Sequence, residues 1–299
     1  MPTKDENWLA FTKMHGTGND FMVIDNTAGA ISFDRSQIAA WADRHFGIGF
    51  DQLLVVQSPS VAEAEFDYRI FNADGGEVEH CGNGARCFAR FVTERGLTGS
   101  SRIPVNTSAG LLTLSVNKDQ TVTVLMGVPE FEPSLVPFNA PHTAVSYPVD
   151  LGELPAAKSS LADIARCGID NPVTVMAVAI GNPHAVVMVD DVDTAPVQEL
   201  GVLLESHPRF PKRVNVGFMQ IVDRSHIRLR VFERGVGETR ACGTGACAAV
   251  ALGIRGQLLD ASVRVQLSGG ELSVHWSGEG ENIEMTGPCT TVFEGQIRM

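Results

Sequence analysis

Apolar and polar positions alternate along most of this chain, and their periods predict a protein built mainly of short strands. Trp8 to Met14 and Phe21 to Asp25 read as strands on either side of the turn His15-Gly16-Thr17-Gly18-Asn19-Asp20. Ser32 to Arg44 places Ile38, Trp41 and Ala42 at helical spacing behind Ser32 or Asp34 as a cap. Leu53 to Val56 and Glu65 to Phe71 read as strands, and Gly84 to Glu94 as a helix stopped by Gly96. Arg102 to Met126 forms a three-segment antiparallel meander. Pro129, Pro133, Pro137 and Pro141 then interrupt any regular element, and the junction between two halves is placed here. Asp150 to Asn171 carries little pattern beyond a short helix around Leu161 to Arg166. Strands follow at Val173 to Ile180, Ala185 to Val189, Val214 to Ile221 and Ile227 to Phe232. Helices fall at Thr194 to Ser206, with Val197, Leu200, Leu203 and Leu204 inward, and at Gly245 to Arg255. Strands near 263–267, 271–276, 283–285 and 291–297 complete the pattern, and Met1 to Asn7 reads as a short polar tail.

The second half repeats the plan of the first. The stretch from Phe71 to Ala85 (FNADGGEVEHCGNGA) and that from Phe232 to Ala246 (FERGVGETRACGTGA) agree without gaps at seven of fifteen positions. The two cysteines are 242 − 81 = 161 residues apart, and two Gly-Asn turns recur at a similar offset, 182 − 19 = 163. Arg69 and Arg230 match between the copies, as do Glu77 and Glu238. The helices after each cysteine, 85–91 and 246–252, carry few charges, and a helix apolar on most sides must be enclosed. The expected fold is therefore α/β (α+β). It has two pseudo-symmetric halves, each a curved mixed or antiparallel sheet wrapped around a central helix, with the active site in the cleft between them. The expected halves are residues 9–138, completed by a C-terminal strand at 289–299, and residues 139–288.

At 299 residues the chain is long for one core and suits two. A net charge of −12 argues against nucleic acid as a partner. No apolar run approaches a membrane span, and no secretion signal is visible. Six cysteines are too sparse for a disulfide scaffold, and the spacings Cys81-x5-Cys87 and Cys242-x4-Cys247 are not those of a zinc knuckle. A cytoplasmic protein with reduced thiols and no metal is expected.

A cysteine just before a helix meets free N–H groups and the positive end of the macrodipole, which favours thiolate. The glycines beside it let a carboxylate approach the backbone amides. Two such units can hold one carboxylate and put a sulfur on each side of the neighbouring carbon. That arrangement removes a proton from one face and returns one to the other, with no cofactor if the carbanion is stabilised in a water-excluded site.

Four groups of segments carry a family resemblance: Lys13 to Phe21 (KMHGTGNDF); Asn72-Ala73-Asp74-Gly75 with Cys81 to Arg86 (CGNGAR); Gly181-Asn182-Pro183-His184; and Glu233-Arg234-Gly235 with Ala241 to Gly245 (ACGTG). With them the chain closely resembles diaminopimelate epimerase from about Phe11 onward. The resemblance is weak from Asn139 to Asn171. It implies an isomerase, independent of pyridoxal phosphate and of any other cofactor. Such an enzyme interconverts LL- and meso-diaminopimelate, a step in lysine and peptidoglycan precursor biosynthesis, through a thiolate/thiol pair. It implies Cys81 and Cys242 as that pair, with His184 and Glu233 beside the reacting carbon. The amides of Gly82, Asn83, Gly243 and Thr244 would hold the carboxylate of the reacting centre. Asn19, Gln52, Asn72, Asn182, Asn215, Glu233 and Arg234 would contact the rest of the substrate. Thr244 departs from the serine common there, with little consequence expected because the role is a backbone one. A homodimer is compatible with this picture.

The residue types agree with that assignment. A substrate with two carboxylates and two ammonium groups needs one cation for its distal carboxylate, amides that donate and accept, and one carboxylate. Two rivals compete. A proline or hydroxyproline racemase-like isomerase would share the two cysteines but needs no distal clamp such as Arg234. A dithiol redox protein would cycle Cys81 and Cys242 through a disulfide, but the usual Cys-x-x-Cys spacing is missing. Cys87, Cys167, Cys247 and Cys289 read as small core residues. His15, His45 and His80 read as structural or surface groups, and Asp51 has no assigned role.

Overall fold

The computed structural model of the chain describes residues 8–78, 81–152 and 161–299. The expectations for residues 1–7, for His80 and for residues 153–160 of the unpatterned stretch lie outside the described residues. Two compact units emerge. One runs to Leu125 and takes back the chain from Thr286, and the other is Met126–Met285.

In the first unit, Trp8–Gly16 pairs antiparallel with Asn19–Asn26 on one side and with Thr290–Arg298 on the other. The chain then crosses through the helix Arg35–Ala42, and Gln52–Gln57 lies parallel to Asn19–Asn26. Asp34 caps this helix in a reciprocal box with Gln37, which satisfies two backbone donors at its start. Phe66–Asn72 pairs antiparallel with Gln52–Gln57, and next to it come the short strand Glu77–Val78 and, in parallel, Arg102–Thr107. The expected meander follows as Arg102–Thr107, Gly110–Val116 and Val122–Leu125.

The second unit repeats most of these strand relations, although its crossing helix starts at Pro196 with no side-chain cap. Val173–Ala179 pairs antiparallel with Pro183–Met188, and with Tyr147–Val149 on its other side. Helix Val197–Glu205 crosses to Asn215–Asp223, parallel to Pro183–Met188. His226–Glu233 follows antiparallel, flanked by Gly237–Thr239 and, in parallel, Ser262–Leu267, which turns into Gly270–His275. The sequence repeat is thus a repeat of topology. The three shortest strands, Glu77–Val78, Tyr147–Val149 and Gly237–Thr239, carry too few residues to show a period.

The division between units falls earlier than the prolines suggest. Glu130 already bridges to Ala179, and Val136 and Phe138 sit in the second unit's core with Val173, Val175 and Phe210. Prolines break strands there without preventing the side chains between them from packing.

Each unit encloses one helix. Gly82–Glu94 touches Trp8–Gly16, Asn19–Asn26, Gln52–Gln57, Gly110–Val116 and Val122–Leu125, and Gly243–Arg255 touches five strands of its own unit. Ten consecutive or near-consecutive residues of each are buried, 82–89 with Phe91 and Val92, and 243 with 245–253. At about 1.5–3 kcal/mol per large apolar side chain, this burial outweighs the poor helix propensity of the glycines that open each helix. The glycines are there for close approach: a Cβ on Gly84 would lie 2.5 Å from Oη of Tyr68, and one on Gly245 3.0 Å from Val231. Ahead of each helix an arginine grips a glutamate across a hairpin with two bonds. Arg69 donates to Glu77 at 2.7 and 2.8 Å, and Arg230 donates to Glu238 at 2.6 and 2.9 Å. The matched Arg and Glu positions therefore brace the two hairpins that lead to the cysteines.

Gly84→Ala should lower the unfolding free energy by about 1–3 kcal/mol through overpacking against Tyr68. Adding Tyr68→Phe, which removes the clashing oxygen, should recover most of the loss in urea unfolding. A Gly84→Ala variant as stable as the parent would show that the helix start is not packed this tightly.

Candidate active site

Both cysteines sit at helix N-caps in extended backbone, Cys81 at φ −138°, ψ 121° and Cys242 at φ −117°, ψ 109°. Cysteine is a weak cap, so the helix-start amides that follow are poorly satisfied by it and suit an anion. All six cysteines are free thiols. Cys87 and Cys247 are buried as expected, whereas Cys167 is exposed and Cys289 partly so. Cys167 follows a short surface helix, and Cys289 lies in the turn before the last strand, so neither position requires a core residue.

In the first unit the predicted residues converge on one corner. Asn19 begins its strand opposite Gly16, and Gln52 is paired with Phe21 on one side and Asn72 on the other. Cys81 Sγ donates to Oδ1 of Asn19 at 3.6 Å, and Asn83 Nδ2 donates to the same oxygen at 3.4 Å. Gln52 Nε2 donates to Asn72 Oδ1 at 2.9 Å, while Gln52 Oε1 is buried with no partner among the described residues. That carbonyl is an acceptor suited to an ammonium group. Gly82 and Asn83 open the helix next to Cys81.

The amide of Asn19 is oriented by Asp51, which sequence reading left unassigned. Nδ2 of Asn19 donates to Asp51 at 2.9 Å, so its oxygen faces Cys81. Arg44 donates to both Asp51 and Asp20, and Lys13 donates to Asp20. The two cations hold the Asp20 carboxyl below the usual carboxylate range despite burial, which pushes it the other way. Arg86, fully buried one turn into the helix, donates to Thr17 Oγ1, to the Gly82 carbonyl and to the Pro288 carbonyl.

The second unit builds the same corner from different side chains. By strand register, His184 stands opposite Asn215 as Phe21 stands opposite Gln52, and Glu233 ends the strand that Asn72 ends in the first unit. His184, 1% exposed, shares a 2.9 Å hydrogen bond with Asn182 Oδ1. Burial, aided by the charge of Arg234, pushes the imidazole pKa down to about 3. The ring is therefore neutral at working pH. Asn215 Nδ2 donates to the Pro183 carbonyl at 3.2 Å, and its Oδ1 accepts the Arg234 N–H at 2.9 Å. Arg234 Nη1 donates to the Lys212 carbonyl at 3.0 Å, and the side chain is exposed.

Cys242 accepts from the Gly245 N–H at 3.4 Å and lies 3.5 Å from Thr244 Oγ1. The Thr244 hydroxyl thus touches the sulfur, in addition to the backbone role expected at that position. The helix position was expected to favour thiolate. In the ligand-free protein the opposite holds for Cys242: burial pushes its thiol well up, and the adjacent Glu233 carboxylate pushes it further. The hydrogen bonds from Thr244 and Gly245 oppose this without reversing it. Glu233 in turn accepts from Thr239 Oγ1.

His45 donates its backbone N–H to Asp43. Among the described residues no group of three or more His, Cys, Asp or Glu side chains converges on a metal position. No helix among them is long and apolar enough to cross a membrane. Sequence reading missed the supporting roles of Asp51 and Arg44. Their only signal was charge inside otherwise apolar segments that lead into a site strand.

Known proteins resemble this chain along nearly its whole length. It is 53% identical to the diaminopimelate epimerase of Nitrosomonas europaea, over 97% of this chain and 98% of that one. It is 54% identical to the diaminopimelate epimerase of an Azoarcus species, over 97% and 99%. Among solved structures, a phenazine biosynthesis protein of the PhzF family from Bacillus anthracis shares the fold with a TM-score of 0.69 at 17% identity, over 98% and 99% of the chains. A hydroxyproline epimerase from Agrobacterium vitis does so with a TM-score of 0.66 at 16% identity, over 100% and 94%. The family model for diaminopimelate epimerase matches residues 11–132 and 176–292, and the chain belongs to that family.

Proposed function

We propose that this protein interconverts LL-2,6-diaminopimelate and meso-diaminopimelate by a two-base exchange at one α-carbon, with Cys81 and Cys242 as the bases and without an organic cofactor. The observation that carries the reading is that a duplicated fold sets one thiol in each copy at the start of an enclosed, glycine-opened helix.

The chemistry follows from the groups present. One sulfur, as thiolate, takes the α-proton, and the electron pair left on carbon is delocalised into the α-carboxylate. Amides of Gly82, Asn83, Gly243 and Thr244 stabilise the negative charge that builds on that carboxylate. The other sulfur, as thiol, delivers its proton to the opposite face. Burial first, and then the Glu233 carboxylate, make the Cys242 thiol harder to ionise in the ligand-free protein. In the direction in which Cys242 is the base it must ionise. An ammonium group of the substrate seated against Glu233 cancels the carboxylate's repulsion and makes that easier. Neutral His184 offers hydrogen bonding near this centre without adding charge.

Arg234 supplies the fork for the distal carboxylate, and Asn19, Gln52, Asn72, Asn182 and Asn215 supply donors and acceptors for the rest. Proline-type substrates lack a second carboxylate and leave Arg234 without a task, which disfavours the cyclic alternative. The reaction belongs to lysine biosynthesis, and its place is the cytoplasm.

In deuterated water, the protein should introduce deuterium at the α-carbon of LL-diaminopimelate and not of proline or glutamate offered in parallel. Cys81→Ala and Cys242→Ala should each reduce epimerisation by about a thousandfold or more, with circular dichroism unchanged. A single variant that epimerises at near-parent rates would sink the two-base reading.

The buried imidazole sets a pH dependence. Above about pH 6.5 His184 is neutral in both folded and unfolded chains. Below that the unfolded chain takes a proton that the folded chain refuses until about pH 3, so His184 costs stability as pH falls through that window. Urea midpoints should therefore drop between pH 7 and pH 5, and less steeply in His184→Gln. An imidazole carbon signal of His184 titrating near pH 6.5 in the folded protein would contradict this.

A further inference from the structure

Glu205 is an odd residue where it stands. It is the last residue of helix Val197–Glu205, where the negative end of the dipole disfavours a carboxylate, and it is 5% exposed. Its two oxygens are each occupied. Oε1 accepts the Gly235 N–H at 2.6 Å, and Oε2 accepts from Arg213 Nη2 at 2.5 Å. Arg213 itself adopts a left-handed backbone, φ 60°, which an L side chain rarely takes.

These contacts close around Arg234. Gly235 follows it in the chain, and its guanidinium donates to the carbonyl of Lys212, the neighbour of Arg213. Its own N–H is held by Asn215, two residues past Arg213. Glu205 therefore ties together the two segments, 212–215 and 233–235, between which the Arg234 side chain is suspended.

The first unit supplies the control. Its corresponding helix, Arg35–Ala42, ends in buried Ala42, and its corresponding turn carries Ala73 in place of Arg234. The buried carboxylate occurs in the copy that has the guanidinium.

We propose that Glu205 is a positioning residue for Arg234, fixing the Arg234–Gly235 turn so that the guanidinium meets the distal carboxylate of the substrate. This rests on the substrate reading given above. The bond costs stability at the helix end, and its return is a cation held in place before the substrate arrives.

A double-mutant cycle tests it. Glu205→Ala should lower kcat/KM for LL-diaminopimelate by about ten- to a hundredfold, mainly through KM. Arg234→Ala should lower it at least as far. The double variant should match Arg234→Ala alone to within about threefold, because Glu205 acts through that side chain. A double variant that falls by the product of the two single effects would overturn the proposal, as would Glu205→Ala within about twofold of the parent. Should Glu205→Ala not fold, Glu205→Gln keeps an acceptor for Gly235 and serves in the same cycle, with a smaller loss expected. Amide exchange gives a second reading that needs no substrate. Residues 234–236 should exchange about tenfold faster or more in the Glu205 variant, while 245–250 stay protected. Unchanged exchange at 234–236 would refute the grip itself. Absence of turnover in the parent protein would instead fail the substrate reading, leaving the grip to be judged by exchange.

Discussion

A helix walled in by strands begins with several N–H groups that no upstream turn can satisfy. This protein builds that situation twice and closes each start with a cysteine, among the poorer caps available. Much else follows. Gly84 and Gly245 are needed so that the helix can press against its sheet. The arginine–glutamate pairs on the preceding hairpins fix where each cysteine enters its helix. An anion is the natural complement of such a place, and a thiol beside it is the natural group to exchange a proton with whatever carries that anion.

The two copies have kept the backbone and exchanged the charges. The first has Phe21, Gln52, Asn72 and Ala73 where the second has His184, Asn215, Glu233 and Arg234. The first has a buried arginine at position 86, and the second has Cys247 at the matching place. One corner is therefore mostly amide and the other carries a carboxylate, a guanidinium and a neutral imidazole. A reaction with two nearly equivalent faces needs equivalent sulfurs, whereas recognition of a substrate with different ends needs inequivalent surroundings. The duplication supplies the first and the divergence supplies the second.

Much of this was legible along the chain. The Phe71–Ala85 and Phe232–Ala246 repeat marked both helix starts, and strand periods placed the residues before them. The tripeptide Tyr147–Val149 was not legible, because three residues with a central proline show no period. The junction was misplaced because proline content reports broken hydrogen-bond ladders, while Val136 and Phe138 show where the side chains go. Asp51 and Glu205 were invisible for another reason. Their partners Asn19 and Gly235 are 32 and 30 residues away, and only the closed sheet brings them together. The protonation of Cys242 also escaped, since burial and Glu233 outweigh the helix start, and burial is a property of the fold.

The strand Thr290–Arg298 lies beside Trp8–Gly16, nearly 300 residues upstream, and belongs to the first unit. The second unit is in effect a long insertion in the first. During synthesis the ribosome delivers every residue of Met126–Met285 before it delivers the strand that covers the flank of Trp8–Gly16. The later-encoded unit can therefore close while the earlier one still waits with an open edge, and the first-made half of the molecule is the last to be finished.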